Sequence, residues 1–502
     1  MTIWVLGDQL TTEVGPLAAA DPGDDRVLMI EARGFARRLP YHAQKLTLVF
    51  SAMRHFRDRL RESGYTVDYR QVETFGEGLS EHVEAHPDDD LVLMEPASHG
   101  AADRFQTLVA EAGGRLDVVE NELFLCSADR FDEWAGDRET YRHEDFYRTM
   151  RRETGYLLDG DGDPAGGEWN YDDENREFPR PEVRFPHPPA FEPDETTREV
   201  QAWVADEFET WGDGEGFAWP VKRAEALAAL EDFVENRLPQ FGPYQDAMLR
   251  RSWSLNHALL APALNLGLLT PREVVDPAIA AYEAGEADLP SVEGFVRQVV
   301  GWREFVRHVY RRSMPDLADA NQLGHDHALP EAYYTGDTDM RCLSECVGHV
   351  WDHGYAHHIE RLMVLSNFAT LYGADPQELN RWFHFGFADA YHWVTTPNVV
   401  GMGSFASDVL STKPYVSSAN YVDKMSDYCA ECPYDEDATT GEDACPFNSL
   451  YWEFLARHED TLRSNHRMGL LYSHVDRKSD DELDAIRARA DEVRQMGADG
   501  TL

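Results

Sequence analysis

Two patterns of apolar residues divide this chain into unlike parts. Over residues 1–125, short and nearly all-apolar runs alternate with stretches that have the helical period of about 3.6 residues. The predicted strands are residues 2–6, 26–31, 66–71, 90–95 and 116–120, and the predicted helices between them are residues 44–62, 79–85 and 102–112. Apolar strands separated by helices indicate a parallel sheet that is covered on both faces. This part is therefore predicted to be an α/β domain with a doubly wound, five-stranded parallel sheet.

The pattern changes after the last predicted strand. Residues 126–200 contain stretches rich in Gly, Pro and charge, which is typical of a connector that lies over other surfaces. From residue 201 to residue 502 the helical period dominates, and the predicted helices include residues 224–237, 292–311, 343–371 and 376–387. The sequence therefore predicts a larger, all-α domain that follows the connector.

The charge balance bears on the partner. Asp and Glu number 92 and Lys and Arg number 46, so the net charge is −46. A nucleic-acid-binding surface is normally basic, and this balance argues against a polyanionic partner. However, acidic residues crowd ordinary loops such as residues 159–163 and 435–443, which favours a halophilic surface like those of a haloarchaeal, high-salt cytosol. The total charge therefore does not indicate which partner the protein binds. Only the local charge at the site can indicate it.

The expected location is the cytoplasm. Residues 2–7 resemble a first strand and lack the basic region of a signal peptide. No apolar run approaches the roughly 18 residues of a membrane span. The chain has six cysteines, five of them in the C-terminal third, which does not fit a secreted disulfide scaffold. We expect a cytoplasmic monomer that makes no membrane contact.

The cysteines form a pattern typical of ligands. Cys429 and Cys432 are separated by two residues, Cys445 follows and precedes a proline, and Cys342 or Cys346 supplies a fourth thiol. Structural zinc prefers two short cysteine pairs, whereas a cysteine followed by proline recurs in iron–sulfur ligation. A [4Fe–4S] cluster is therefore favoured, and zinc or ordinary buried cysteines are the alternatives. Spacing alone does not choose between Cys342 and Cys346.

Histidines are concentrated just after Cys342. His349, His353 and His357 recur every four residues and would share one face of a continuous helix. The adjacent pair of His357 and His358 differs, because neighbours on a helix point about 100° apart. One of them can then face a pocket while the other supports it, and histidine is the natural proton donor near neutral pH.

Four aromatic residues accompany the histidines and cysteines. In a helical region such residues usually pack in the core. Alternatively, they could relay an electron between a buried cofactor and the surface. The residues are Trp382, Tyr391, Trp393 and Tyr421.

Together these motifs resemble the photolyase/cryptochrome superfamily, and in particular its iron–sulfur branch of prokaryotic (6-4) photolyases and related bacterial cryptochromes. The matching segments follow family order over nearly the whole chain. They are residues 50–56 (FSAMRHF), 293–304 (EGFVRQVVGWRE), 354–363 (GYAHHIERLM), 381–389, 397–402 (PNVVGM) and the spaced cysteines.

The resemblance implies two cofactors in the all-α domain. FAD would bind there, with its phosphates near Ser254, Asn256 and His257, where a turn opens a helix that starts at residue 258. Arg361 and Asp389 would form a charged pair beside the flavin, and Trp302 lies on the helix that resembles the flavin-pocket helix. The [4Fe–4S] ligands would be Cys342, Cys429, Cys432 and Cys445. Cys342 is preferred because it stands thirteen residues before Tyr355, as in the family.

The implied activity is light-driven repair of (6-4) pyrimidine–pyrimidone photoproducts in UV-damaged DNA. Excited reduced flavin would give an electron to the lesion, and His358, supported by His357, would protonate it. Gln298 and Glu304 would hydrogen-bond the lesion bases. Trp382 would be the proximal electron donor to the flavin, and Tyr421 would link the flavin to the cluster. The alternatives are a cryptochrome-type photoreceptor that signals to a protein partner and a non-photochemical iron–sulfur protein that binds nucleic acid.

Two positions depart from the family pattern. Tyr334 stands where relatives carry a tryptophan, so the outer electron route is expected to be slower or to follow other residues. The acidic residue expected near Phe35 to bind a lumazine antenna is absent. Asp8 and Glu31 remain as antenna candidates, and the antenna could be a lumazine, a deazaflavin or none.

Overall fold

The computed structural model describes residues 1–138 and 140–502, and the N-terminal part contains the predicted sheet. Five parallel strands are arranged in the order β3-β2-β1-β4-β5, so the strand order reverses between β1 and β4. The strands are β1 (Thr2–Val5), β2 (Arg26–Ala32), β3 (Thr66–Val72), β4 (Leu91–Met94) and β5 (Leu116–Val119). Each predicted strand is present with ends that differ by two residues at most. The reversal opens a crevice at the carboxyl ends of β1 and β4.

Helices cover both faces of this sheet because alternate strand residues point to opposite sides. Ile3 and Val27 pack with the apolar face of the Ala43–Glu62 helix. Trp4 and Leu28 instead pack with the helices of the other face, which are Phe75–Ala85 and Ala101–Glu111. The three predicted helices of the domain are therefore confirmed.

Beyond the sheet, the regular elements of the described chain are helical. Among the residues that the structure describes, no helix is both long and apolar enough to cross a bilayer. The α-helical and π-helical segments are Ala128–Ala135, His143–Thr154, Glu195–Glu207, Arg223–Asp232, Phe233–Arg237, Ala261–Leu266, Pro271–Glu283, Leu289–Val296, Arg297–Arg303, Glu304–Ser313, Ala332–Thr335, Arg341–His353, Glu360–Ser366, Asn367–Tyr372, Pro376–Gly386, His392–Thr396, Pro397–Gly403, Ala419–Met425, Pro446–Arg457, Glu459–Leu462, Gly469–Val475 and Asp480–Asp499.

The prediction of one continuous helix over residues 343–371 is wrong. The Arg341–His353 helix ends at Gly354, whose φ of 60° lies in the left-handed region that glycine adopts at little cost. Residues 355–357 are not helical, and the chain then turns back into the Glu360–Ser366 segment. His357 therefore does not share a helix face with His349 and His353. The turn at Gly354 instead brings the following residues back over the C-terminal end of the Arg341–His353 helix.

The segment predicted as a connector is partly ordered into helices. Ala128–Ala135 and His143–Thr154 lie within residues 126–200, and the part from 155 to 194 is largely irregular. Trp169 is held there because Arg151 donates from Nη1 to its carbonyl oxygen at 2.8 Å, and the guanidinium of Arg152 lies 4.6 Å from its ring centroid. The irregular segment is thereby held against the His143–Thr154 helix of the connector.

Candidate functional site

An ion pair joins two of the predicted flavin residues. Arg361 donates from Nη1 and Nη2 to the two carboxylate oxygens of Asp389, at 3.1 Å and 2.9 Å. The guanidinium also lies over the rings of Tyr355 and Phe387, at 4.9 Å and 4.3 Å from their centroids. Asn265 donates to the backbone carbonyl of Asp389 at 2.9 Å. The pair is therefore fixed on several sides, as a planar cofactor would require.

A lysine from the α/β domain reaches this pair. Lys45 Nζ donates to the carbonyl oxygens of His384 and Ala390, at 2.7 Å and 2.6 Å. Burial lowers the pKa of Lys45 to about 7, although the negative charge of Asp389 opposes this. No motif pointed to Lys45, and the available signal was a lysine on the buried face of an amphipathic helix. Its contacts connect the two domains next to Asp389.

The histidine pair lies beside the same ion pair. His357 is fully buried and its ring stacks on that of His257, with centroids 4.6 Å apart and planes 9° apart. The side chain of His358 is exposed. Its protein surroundings, and then the positive charge of Arg361, lower the pKa of His358 to about 4. The two histidines are thus divided, with His357 buried and His358 exposed.

The turn expected near the phosphates is present, but the helix after it begins later than predicted. Ser254, Asn256 and His257 are buried, and the following helix is Ala261–Leu266 instead of one that starts at residue 258. The reason is Leu259, whose φ of 57° interrupts the helix. Asn256 donates to the carbonyl of Gln240 at 3.0 Å, while its Oδ1 has no hydrogen-bond partner in the described chain. A buried acceptor without a partner fits a site that a polar ligand completes.

The helix that resembles the flavin-pocket helix contains a π-helical stretch, Arg297–Arg303, which carries two of the candidates. Gln298 is exposed on it and can reach a ligand. Trp302 stacks on His143, with ring centroids 4.0 Å apart and planes 7° apart. Its indole therefore already packs against a helix of the connector.

Glu304 does not fit the role that was expected for it. The carboxylate is fully buried, and Oε2 accepts from the backbone N–H groups of Leu125 and Cys126 at 2.8 Å and 2.9 Å. Oε1 pairs with Arg303 at 3.1 Å. Both oxygens are thus used where the connector meets the helical part, and the side chain holds the connector instead of facing a base.

Four cysteines line one cavity. Cys342, Cys429, Cys432 and Cys445 surround it together with apolar side chains and the rings of Tyr428 and Tyr434. Burial, followed by the proximity of the other thiols, raises the pKa of Cys429 to about 12. Four soft sulfur donors in an apolar enclosure fit a metal or cluster, whose charge stabilises thiolates. Cys346 does not line the cavity, so the structure groups the four residues that the resemblance selected.

The aromatic residues form a path from the interior to the surface. Trp382 is fully buried and donates to the carbonyl of Tyr333 at 2.8 Å. Its ring centroid lies 6.1 Å from that of Trp211, which lies 5.1 Å from that of Trp351. Trp351 is 40% exposed. The sequence analysis missed Trp211 and Trp351, because they lie in other segments and no motif marks them.

Tyr421 lies on a helix that borders the cysteine cavity. It belongs to the Ala419–Met425 helix, whose Ala419 and Val422 line the cavity. Burial, followed by the charge of Asp246, raises the pKa of Tyr421. Tyr421 is therefore close to Asp246, while its helix borders the cysteine cavity.

The two antenna candidates differ in their surroundings. Glu31 is buried and saturated, because it accepts from Arg54 at 2.9 Å and 3.1 Å, from Gln71 at 2.7 Å and from Tyr69. It is therefore unavailable to an antenna, and that expectation is wrong. Asp8 follows β1 at the crevice, and burial raises its pKa to about 6. Asp8 is therefore the remaining antenna candidate of the two.

A further histidine–carboxylate group lies at the opposite end of the sheet. His82 pairs with Asp68 at 2.6 Å and with Thr2 at 3.2 Å, and its ring lies 5.0 Å from that of His86. Arg70 also donates to the same oxygen of Asp68, at 2.9 Å. The guanidinium already neutralises the carboxylate, so this group serves to connect β1, β3 and the Phe75–Ala85 helix.

The chain is similar to several known proteins. Residues 3–219 match the family model described as deoxyribodipyrimidine photo-lyase-related protein. The chain is 40% identical over 496 residues to the (6-4) photolyase of Agrobacterium fabrum, which covers 97% of this chain and 98% of that protein. It is also 24% identical over 217 residues to a deoxyribodipyrimidine photo-lyase of the same organism, covering 41% of this chain and 42% of that protein.

Two solved structures share the fold. One is a bacterial class III photolyase from Agrobacterium tumefaciens, with a TM-score of 0.58, 14% identity and coverage of 99% of this chain and 96% of that one. The other is the cryptochrome of Synechocystis sp. PCC6803, with a TM-score of 0.59, 12% identity and coverage of 99% and 98%. These likenesses show that the chain has the two-domain fold of the photolyase/cryptochrome class.

The chain belongs to the photolyase/cryptochrome superfamily. Membership implies FAD as the cofactor, and the relative that matches along almost the whole chain is a (6-4) photolyase.

Proposed function

We propose that this protein repairs (6-4) pyrimidine–pyrimidone photoproducts in UV-damaged DNA in a light-driven reaction. The observation that carries the proposal is the position of His358, exposed and next to the Arg361–Asp389 pair. An acid that faces outward beside the flavin pair is what protonation of a flipped lesion needs. The similarity to a (6-4) photolyase over 97% of the chain supports the same assignment.

The residues present fit FAD. Arg361 and Asp389 would hold the ring system, and the turn with Ser254 and Asn256 would offer polar groups to the phosphates, where Asn256 Oδ1 lacks a partner among described residues. When bound and reduced, FAD supplies an electron to the lesion after it absorbs light. The protein's task is then to bind the lesion, orient it and provide one proton.

Once protonated, His358 would give that proton from its imidazolium N–H to the lesion oxygen and become neutral imidazole, and buried His357 would keep it in place. Protein surroundings and Arg361 disfavour a charged His358, whereas a DNA phosphate brought near it would favour the charge. Gln298 would hydrogen-bond a lesion base from its exposed position on the π-helical stretch. Lesion flipping costs least where base pairing is already lost.

The cysteines and aromatic residues would serve electron supply and rigidity. Cys342, Cys429, Cys432 and Cys445 would hold a [4Fe–4S] cluster. Trp382 would pass electrons inward to the flavin, with Trp211 and Trp351 leading to solvent and Tyr421 lying toward the cluster. An antenna, either a lumazine or a deazaflavin, would bind at the crevice near Asp8.

The test is to illuminate the purified, flavin-reduced protein with an oligonucleotide that contains one (6-4) photoproduct, at low and high salt. Chromatography then measures the restored thymines, with a dark sample and a cyclobutane-dimer oligonucleotide as controls. Restoration of the (6-4) substrate in light alone supports the proposal. Flavin photoreduction without restoration would favour a photoreceptor, and a protein that binds no flavin would favour a non-photochemical nucleic-acid-binding protein.

A further inference from the structure

A buried carboxylate lies directly beneath the histidine pair. Glu360 is fully buried, and its Oε1 accepts hydrogen bonds from Tyr428 Oη at 2.7 Å and from His349 Nδ1 at 2.9 Å. Its Oε2 accepts from the backbone N–H of His357 at 3.2 Å, and His357 Nε2 lies 3.7 Å from Oε1. The break at Gly354 creates this arrangement, because it turns Glu360 back over the preceding helix.

We propose that Glu360 is a positioning residue whose buried negative charge allows the His357–His358 pair to hold a proton. The inference deepens the proposed function, since it rests on these histidines being the proton source. Glu360 would not touch the lesion and would stay ionised throughout. One proton leaves the histidine pair for the lesion oxygen, and solvent water restores it through exposed His358.

Without this carboxylate the surroundings of His357 are unfavourable to positive charge, whereas His358 has Asp172 as a negative neighbour. Burial lowers the pKa of His357, and among the nearby charges only Glu360 raises it. The ring of His257 stacks on His357 and adds no negative charge. A histidine that is desolvated and close to other cations loses its proton unless an anion lies near. Glu360 is that anion.

The carboxylate itself is held ionised by its partners. Burial alone would raise the pKa of Glu360, but the charges of His357 and His349 and the hydrogen bonds of His349 and Tyr428 lower it to about 2. Burial likewise would lower the pKa of His349, yet Glu360 raises it. A buried carboxylate is tolerated when its oxygens are hydrogen-bonded and its charge is paired, and both conditions hold here.

The charged and titratable groups around this network come from six segments. The turn and helix after Gly354 supply His357, His358, Glu360 and Arg361; the Arg341–His353 helix supplies Glu345, Cys346, His349 and Asp352; the phosphate turn supplies His257; the segment before the cysteine pair supplies Tyr428; the connector supplies Asp172; and the Arg297–Arg303 stretch supplies Arg297.

The decisive variant is Glu360→Gln, which keeps the shape and removes the charge. Histidines labelled with ¹³C are titrated by NMR in the dark, and light-driven repair is measured across the same pH range. We expect the titration midpoint of His357 to fall by about one pH unit. The pH at which repair is half lost should fall by the same amount. Repair above the midpoint would then be about tenfold lower and would recover when the pH is lowered.

The matched control is Glu345→Gln, which removes one negative charge near the same His349. Glu345 already pairs with Arg250 at 3.1 Å, so we expect no change in either titration. An unchanged His357 titration in Glu360→Gln overturns the inference, and so does a loss of repair that low pH fails to rescue. If the unmodified protein shows no repair, the proposed function fails, while the NMR titration still decides the effect of Glu360.

Discussion

Arg361 and Asp389 are 28 residues apart in the chain, and they meet through two parallel hydrogen bonds of 3.1 Å and 2.9 Å. The two residues lie on either side of the Pro376–Gly386 helix in sequence. Their contact brings the segment after the histidine pair to the segment that receives Lys45 from the α/β domain. The pair is thus a junction of both domains and of the expected flavin site.

Replacing this arginine should release the flavin. Arg361→Gln removes both hydrogen bonds and leaves Asp389 without its partner, at a cost of about 2 kcal/mol. We expect the flavin content of the purified protein, measured by absorbance after denaturation, to fall severalfold. Arg381→Gln is the control, because Arg381 is exposed. A normal flavin content in Arg361→Gln would contradict the flavin assignment.

The exposed histidine should be needed for chemistry and not for folding. His358→Ala should keep flavin and iron while repair falls by about 10²-fold or more, since that is the usual contribution of a general acid. Initial repair rates in light measure the effect. His466→Ala, which removes an exposed histidine from another region, should repair normally. Repair at the original rate in His358→Ala would show that another group donates the proton.

The cysteine cavity predicts a sharp contrast between two serine variants. Cys432→Ser removes one of the four thiols that line the cavity, and we expect iron to be lost. Cys346→Ser changes a buried cysteine on the same helix as Cys342 but outside the cavity, so iron should remain. Iron and sulfide analysis gives the result. Iron retained by the first variant, or lost only from the second, would refute the ligand assignment.

The tryptophan path predicts how the flavin is photoreduced. Trp382→Phe should slow reduction of the oxidised flavin in blue light with an external thiol, and Trp211→Phe should slow it as well, because each removes one step of the path. Absorbance of the oxidised flavin against time is the measurement. Tyr334→Phe tests the other route, and we expect little change. Slowing in Tyr334→Phe but not in Trp211→Phe would place the outer route through Tyr334.

Asp8 predicts a pH-dependent stability. Its folded-state pKa of about 6 lies above the ordinary value of 3.8, so folding favours the neutral acid. This contribution is complete below pH 4 and is lost as the pH rises through 6. Asp8→Asn should therefore be nearly neutral at pH 4 and stabilise the protein by about 3 kcal/mol at pH 8. Thermal unfolding at both pH values checks this, with exposed Asp90→Asn as the control.

A stabilisation of equal size at pH 4 and pH 8 would indicate that Asp8 is charged in the folded protein throughout. A destabilisation at pH 8 would indicate that the carboxylate makes a favourable contact there.

The sequence by itself determined the sheet, because alternation between strand and helix periods is a local property that survives in any tertiary context. The same holds for the set of Cys429, Cys432 and Cys445, whose short spacings bring them together through local turns. Which side chains are buried, and which residues they contact, depends on the tertiary structure and not on the local sequence. The tertiary structure assigned Glu304 and Glu31 to internal contacts, because each carboxylate accepts hydrogen bonds from residues that are distant in sequence, such as Leu125 for Glu304 and Arg54 for Glu31.

The break at Gly354 shows the same limit. The helical period continues through residues 343–371, and only packing decides that the chain turns there and brings Glu360 to His349 and His357. Likewise, Trp211 and Trp351 meet Trp382 from separate segments that no spacing connects. Local patterns fix elements and short-range ligand sets, whereas a buried charge network or an aromatic path depends on which surfaces pack together.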